Sequence, residues 1–201
     1  MADSEITRAR KALRKELRAR RRAIPPRERA AAARRIARQV ERHFSLHPGQ
    51  RIALYAPLAE ELDVAPLASV ARMHGARLYL PRIVDARARR MRFVAAEGGM
   101  RRNRLGILEP AGTRFIAARA LDLTFVPLVG FDAAGMRLGM GAGYYDRAFA
   151  FSRLRISWHR PKLIGVAFTA QCVPRIPAEP HDVRLDAVVT EDGVIECRSR
   201  E

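Results

Sequence analysis

The chain has 201 residues, nearly half of them apolar, and 38 Lys and Arg against 21 Asp and Glu give it a formal net charge of +17. That length suits one compact unit with a sizeable core of Leu, Val, Ile and Ala, and no apolar run is long enough to cross a bilayer. The charge invites a nucleic-acid reading, because clustered cations neutralise phosphates, but only Lys11, Lys15 and Lys162 are lysine and the small apolar positions are heavily Ala. Arg with Ala is the imprint of a GC-rich genome, and a positive field also attracts small polyanions such as ATP; together these are preferred to nucleic-acid binding. Cys172 and Cys197 form no CxxC pair and no metal spacing, so they read as structural thiols in a reducing compartment. The Arg-rich N-terminus lacks a signal-peptide stretch, and Asp3, Glu5 and Glu16 argue against a transit peptide, which predicts a cytoplasmic protein.

The spacing of Ile6, Leu13 and Leu17 predicts a helix over 4–22, with Arg10, Arg14 and Arg18 along one face. Pro25-Pro26 ends it and starts a second helix that runs to about Phe44, so a basic helical segment fills about 4–44. A buried strand is predicted over Arg51–Tyr55, a helix over 63–74, and strands over Ala76–Pro81 and Met91–Ala95. The Arg-rich stretch 86–92 reads as a solvated loop. In the mixed segment 97–120, Gly98-Gly99 and Glu109-Pro110 mark turns. Leu121–Val129 is a strand that runs into a turn at Gly130-Phe131-Asp132, a glycine-rich loop and a helix from about Tyr144. Lys162–Phe168 and Asp186–Thr190 are further strands, and Asp192-Gly193 turns the latter back through Val194–Cys197. Alternating strands and helices argue for an α/β fold around a parallel or mixed sheet, one domain over 1–201.

Chemistry concentrates in Arg137–Arg147, where Gly139, Gly141 and Gly143 alternate between a strand and a helix. Glycines let backbone amides approach an anion, and a helix start adds partial positive charge. The spacing also suits a plain tight turn. It is neither a Walker A motif nor a dinucleotide fingerprint, so the phosphate-binding cation must come from elsewhere, with Arg137, Arg147 and the Arg10/Arg14 face as candidates. Asp146 suits either a magnesium ion on phosphate oxygens or the charge preference of a first helical turn; Asp182 suits a second oxygen ligand or an ordinary turn. Tyr144 and Tyr145 can stack on a flat heterocycle or divide between core and surface. Glu61 and Asp63 follow the first strand, where α/β proteins place ligands, or cap the next helix. None of the five histidines has metal-type spacing.

RLGMGAGYYDR at 137–147 resembles the signature of the 5-formyltetrahydrofolate cyclo-ligases, also called methenyltetrahydrofolate synthetases. Further pieces match in order: the basic pattern of Arg10–Arg14, Glu61-Leu62-Asp63 after the first strand, Leu105–Pro110 resembling the family's GI-x-EP turn, and Gln171, Pro177, His181-Asp182, Asp186 and Val189-Thr190-Glu191. The resemblance covers nearly the whole chain. It implies a three-layer α/β/α sandwich around a mixed, mostly parallel sheet. It also implies ATP held by Arg10, Lys11, Arg14, Arg137, Gly139, Gly141, Gly143, Tyr144 and Tyr145, a folate site lined by Leu58, Glu61, Asp63, Met140 and Tyr144, and magnesium on Asp146 and Asp182. Arg10 stands where the family often has Lys, and Arg forks where Lys is a point charge. Met140 and Ala142 replace residues that are frequently aromatic, charged or glycine; these departures bear on substrate affinity more than on chemistry.

The implied activity is ATP- and magnesium-dependent cyclisation of 5-formyltetrahydrofolate to 5,10-methenyltetrahydrofolate, with release of ADP and phosphate, by a monomer or weak homodimer. A formamide carbon is a poor electrophile; phosphorylation of its oxygen makes a leaving group, and the enzyme's work is alignment and charge compensation, for which Arg137 and Arg14 are the candidates. The alternatives are a basic nucleic-acid-binding protein, which lacks interleaved aromatics and any known motif, and another enzyme on a similar scaffold, such as a sugar-phosphate isomerase.

Overall fold

A computed structural model of the protein describes residues 2–97, 99–102, 108–154 and 160–197. Helices α1 (Ala2–Ala23) and α2 (Pro26–His43) come first, with Pro25 extended at φ −60° and ψ 147° between them. There follow β1 (Arg51–Ala53), α3 (Ala65–Met73), β2 (Arg77–Asp85), β3 (Arg90–Ala95), β4 (Met100–Arg102), β5 (Leu108–Pro110), β6 (Phe115–Ile116), β7 (Leu123–Pro127), β8 (Gly130–Phe131), β9 (Arg137–Leu138), α4 (Tyr144–Ala148), β10 (Lys162–Val166), β11 (Ala187–Val189) and β12 (Val194–Glu196).

Eight strands form one sheet in the order β12-β11-β10-β7-β1-β2-β3-β6. Its centre, from β11 to β2, is parallel, and β12, β3 and β6 join antiparallel at the edges. The period of two along each strand separates two cores. Ile52, Leu54, Ile164 and Val166 pack under Ala33, Ile36 and Val40 of α2 and Leu67 and Ala71 of α3. Ala53, Val126, Leu163 and Val188 point the other way, to Phe149 just past α4 and to Phe93, whose ring lies 5.7 Å from that of Phe149. Each buried Val, Leu, Ile or Phe among them contributes roughly 1.5–3 kcal/mol of burial, and each Ala less. Helices on both faces of a mixed, mostly parallel sheet make the three-layer arrangement predicted above.

α1 lies apart from these layers. Its fully buried Leu17 packs on Val129, Met136, Leu138, Val173 and Ile176, around the β8–β9 hairpin. Gly130 makes room: a Cβ there would sit 2.2 Å from Leu17 Cδ1 and 3.3 Å from the Gln171 carbonyl.

Four details depart from the sequence reading. Gly130-Phe131-Asp132 is not a simple turn; β8 pairs with β9, and the Asp132 carboxylate accepts the N–H groups of Ala134, Met136 and Ile176. Two-residue strands carry too little periodicity to be seen. β2 continues past Pro81 to Asp85, because β1 accompanies it only as far as Tyr79, so the missing proline N–H breaks no ladder on that side. Residues 90–92 of the Arg-rich stretch belong to β3, and only 86–89 form the turn. Glu109 and Pro110 lie in β5, paired with β4, rather than marking a turn; residues 105–107 of the same motif, and Gly98, lie outside the described residues.

Candidate active site

β1 and β7 are parallel neighbours, but the chain leaves them in opposite directions, β1 through α3 to β2 and β7 through α4 to β10. A crevice opens outside the carboxyl ends of two such strands. Here it holds two adjoining clefts that share Glu61, Pro127, Tyr144 and Tyr145. Their cavities of about 190 and 160 Å³ are each smaller than the ~300 Å³ at which ordinary ligand pockets begin. Side by side they suit a two-part load.

The first cleft is polar. Arg10 and Arg14 reach it from α1, Arg137 from β9, Gly139–Gly143 form its floor, and Asp146, Glu179, His181 and Asp182 close it. Gly141 and Gly143 have φ of 99° and 69°, which side chains other than glycine's resist. The backbone N–H groups from Gly139 to Gly143 have no acceptor among the described residues. Such a row of donors has the form of an anion cradle. The helix behind it, α4, spans only five residues, so helix-end charge contributes little to it.

Three arginines surround this cradle in different states. Arg10, 4% exposed, forks onto Asp182 at 2.6 and 3.1 Å and donates to the Pro177 carbonyl at 2.9 Å. Burial disfavours its cation, but the bond to Asp182 and the charges of Asp182, Glu179 and Asp146 outweigh burial and hold its pKa above the ordinary value. Arg137 donates to Asp146 Oδ1 at 2.5 Å and to the Val183 carbonyl. Among the described residues Arg14 has no carboxylate partner, and its two terminal nitrogens have no acceptor; its Nε donates to the Gly139 carbonyl at 2.9 Å. Burial and then the neighbouring Arg10 cation lower its pKa. An anion in the cradle would relieve that repulsion.

Asp146 and Asp182 both line this cleft. Asp146 uses only Oδ1, toward Arg137 and the Val183 N–H, and Oδ2 has no partner among the described residues. Both oxygens of Asp182 are taken, by Arg10 and by the Glu179 N–H.

The second cleft is apolar, lined by Tyr55, Ala56, Leu58, Pro81, Ile83, Met91 and Glu109 besides the shared residues. The Tyr145 ring lies along Phe149 at 6.3 Å, and burial, then the charge of Glu61, raise its pKa, so it stays neutral. Glu61 accepts the Leu58 N–H at 3.0 Å.

Of the predicted residues, Arg10, Arg14, Glu61, Arg137, Gly139, Met140, Gly141, Gly143, Tyr144, Tyr145, Asp146 and Asp182 meet in the polar cleft, and Leu58 joins in the apolar one. Lys11 is exposed and lines neither cleft. Asp63 lines neither; its Oδ1 accepts the Ala65 N–H at 2.9 Å in a local turn that leads into α3, whose N-cap position is Val64. The reading missed Tyr55, Pro81, Ile83 and Met91. The register Ile83↔Met91 and the alternation of Pro81 and Ile83 place these on one face, a signal available only once the β2–β3 pairing is known.

The profile of the 5-formyltetrahydrofolate cyclo-ligase family matches residues 6–191. A 5-formyltetrahydrofolate cyclo-ligase of Escherichia coli (strain K12) is 32% identical over 186 residues, covering 90% of this chain and 99% of that protein. One from Mus musculus is 27% identical over 202 residues, covering 96% and 98%. The solved structure of Aquifex aeolicus 5,10-methenyltetrahydrofolate synthetase superposes with a TM-score of 0.79 at 26% identity, covering 96% of this chain and 94% of that one. With its switch-point crevice and glycine loop in place, and with a profile match over most of its length, this chain belongs to the 5-formyltetrahydrofolate cyclo-ligase family.

Proposed function

We propose that this protein uses ATP to close 5-formyltetrahydrofolate into 5,10-methenyltetrahydrofolate, with the triphosphate in the polar cleft and the folate ring system in the apolar one. The observation that carries the reading is the pairing of acceptor-free amides at Gly139–Gly143 with the carboxylate-free cation of Arg14, directly beside an apolar slot lined by Tyr55, Leu58, Tyr144 and Tyr145. A phosphate chain meets donors and charge on one side; a flat ring meets aromatic and aliphatic surface on the other.

The formyl oxygen attacks the γ-phosphorus and ADP leaves. Nitrogen 10 then attacks the activated formyl carbon and loses its proton, the carbon–oxygen bond breaks, and the oxygen departs in inorganic phosphate. The protein contributes position and charge. The cradle amides hold the phosphate oxygens. Arg14 faces the same loop with both terminal nitrogens free to follow the transferring phosphoryl group. Arg137, fixed by Asp146 and the Val183 carbonyl, lends its charge from beneath. Magnesium fits as a partner of Asp146, whose Oδ2 is open, since this ion takes one or two carboxylates and completes its shell with phosphates and water. When bound it would offset the negative charge of the phosphate chain. Asp182 would join as a ligand only by releasing one bond to Arg10.

The test mixes purified protein with 5-formyltetrahydrofolate, magnesium and ATP and follows the near-ultraviolet band of the methenyl product. Growth of the band with both ATP and magnesium present supports the reading; none from folded protein defeats it. With 18O in the formyl group, label must appear in phosphate. Arg14→Ala should lower kcat by roughly 10²–10³-fold, the usual effect of removing one charge-stabilising donor, with stability unchanged.

A further inference from the structure

The loop between β1 and α3 supplies Leu58 and Glu61 to the clefts. Its far end is tied to the core where the buried Tyr55 hydroxyl donates to the Leu62 carbonyl at 3.1 Å. Between those points it has little apolar anchorage: residues 57–59 are exposed. What holds it is charge. The single carboxylate of Glu60 lies 3.8 Å from Arg18 Nη2, 3.6 Å from Arg21 Nη2 and 3.7 Å from Arg22 Nη1, all on α1. Arg29 of α2 adds a bond to the Ala59 carbonyl at 3.2 Å.

The three arginines are not equivalent. Arg18 and Arg22 are part or well exposed, and pairs of that kind contribute little. Arg21 is 2% exposed, and its Nε, like that of Arg18, is buried without a partner among the described residues. A guanidinium removed from water needs its counter-charge, and Glu60 is the carboxylate within reach among the described residues. α1 is also the helix that carries Arg10 and Arg14 into the polar cleft. One residue therefore couples the wall of the apolar cleft to the helix that serves the polar one.

We propose that Glu60 is a positioning residue: it straps the Leu58–Glu61 wall to α1 and so sets the width of the apolar cleft and the affinity for the ring-bearing substrate, without touching either substrate. This rests on the folate reading for the name of the ligand but not for the strap itself. The ATP side should respond far less, because Arg10 is held by Asp182 and Arg14 by the Gly139 carbonyl, both independent of Glu60, and Glu61 is the one residue of that wall that also lines the polar cleft.

Glu60→Gln should raise KM for 5-formyltetrahydrofolate about tenfold, roughly 1.4 kcal/mol, while KM for ATP and kcat stay within twofold. Glu60→Asp, which keeps the charge, should recover most of the loss. In amide exchange without substrate, Glu60→Gln should speed exchange at residues 57–61 and leave α3 and the central strands unchanged. If Glu60→Gln does not fold, Arg18→Ala/Arg22→Ala should show the same KM split in weaker form, since it leaves Arg21 on Glu60. Unchanged exchange in an active, folded Glu60→Gln protein overturns the proposal, as does an equal rise in both KM values. An inactive wild type with faster loop exchange in the variant overturns the folate reading and leaves the strap standing.

Discussion

Arg10 and Asp182 lie 172 positions apart in the chain, and both side chains are about 5% exposed. Taking such a pair out of water is costly, and two short bonds plus the Glu179 N–H compensate it. Removing one partner leaves the other charged, buried and alone. Asp182→Ala should therefore lower unfolding free energy by about 3–5 kcal/mol, read as a shift of the urea midpoint at constant slope. Joint replacement of the pair by apolar residues of similar volume should restore much of that stability while leaving the enzyme poor, which separates folding from function at this site. Asp182 also shows how far residue type alone reaches. The sequence offered it as a second oxygen ligand or an ordinary turn residue; the structure engages both its oxygens with Arg10 and the Glu179 N–H, an anchoring role that residue type alone does not announce.

At the scale of elements, the docking of α1 decides whether Arg10 and Arg14 arrive at all. Leu17 seats in a notch that exists because residue 130 has no side chain. In Gly130→Ala the added carbon meets the Leu17 tip and crowds a backbone carbonyl, so the helix must lift or the hairpin bend. We expect a loss of about 1–3 kcal/mol, typical of overpacking, with a lowered melting temperature and weakened ATP saturation. The long helices were legible because each carries several turns of pattern, such as Ile36, Ala37 and Val40 in α2, and the central strands because each is a continuous apolar run, such as Leu163 to Val166 in β10. β8, β9 and β6 were not, since two residues hold no period. The glycine loop was legible as a tight strand-to-helix crossing, but its spacing suited a phosphate cradle and a plain turn alike, and the resemblance rather than the spacing favoured the cradle. The apolar half of the site was not, because Tyr55, Pro81, Ile83 and Met91 come from three strands or their ends and converge only through sheet order.

Over the whole molecule the excess of positive charge, +17, is a standing repulsion that grows as carboxylates protonate. Asp122 is the carboxylate to watch. It accepts the Arg51 N–H at 2.8 Å and Nε at 3.3 Å and the Arg160 Nη1 at 3.0 Å, and its own backbone bonds Arg51 and Lys162, so it joins the starts of β1, β7 and β10. Burial opposes its ionisation, but the Arg51 bonds and the charges of Arg51 and Arg160 outweigh burial and hold its pKa below the ordinary carboxylate value. Its contribution is therefore complete above the unfolded value of about 3.9 and is lost as pH falls through the lower folded value. Wild type should be more stable than Asp122→Asn at neutral pH, the gap should close below about pH 4, and added salt should move acid unfolding of both to lower pH by screening the excess charge. Equal stability of the two at neutral pH would remove Asp122 from this account. The ion pair of Arg10 with Asp182 has a last consequence, for a chain made from one end to the other. The helix that brings Arg10 is synthesised well before its partner, which follows 172 positions later. A growing polypeptide therefore carries that helix with a buried-type arginine still in water until residue 182 has left the ribosome, and the polar cleft closes only when that late segment folds back onto the early helix.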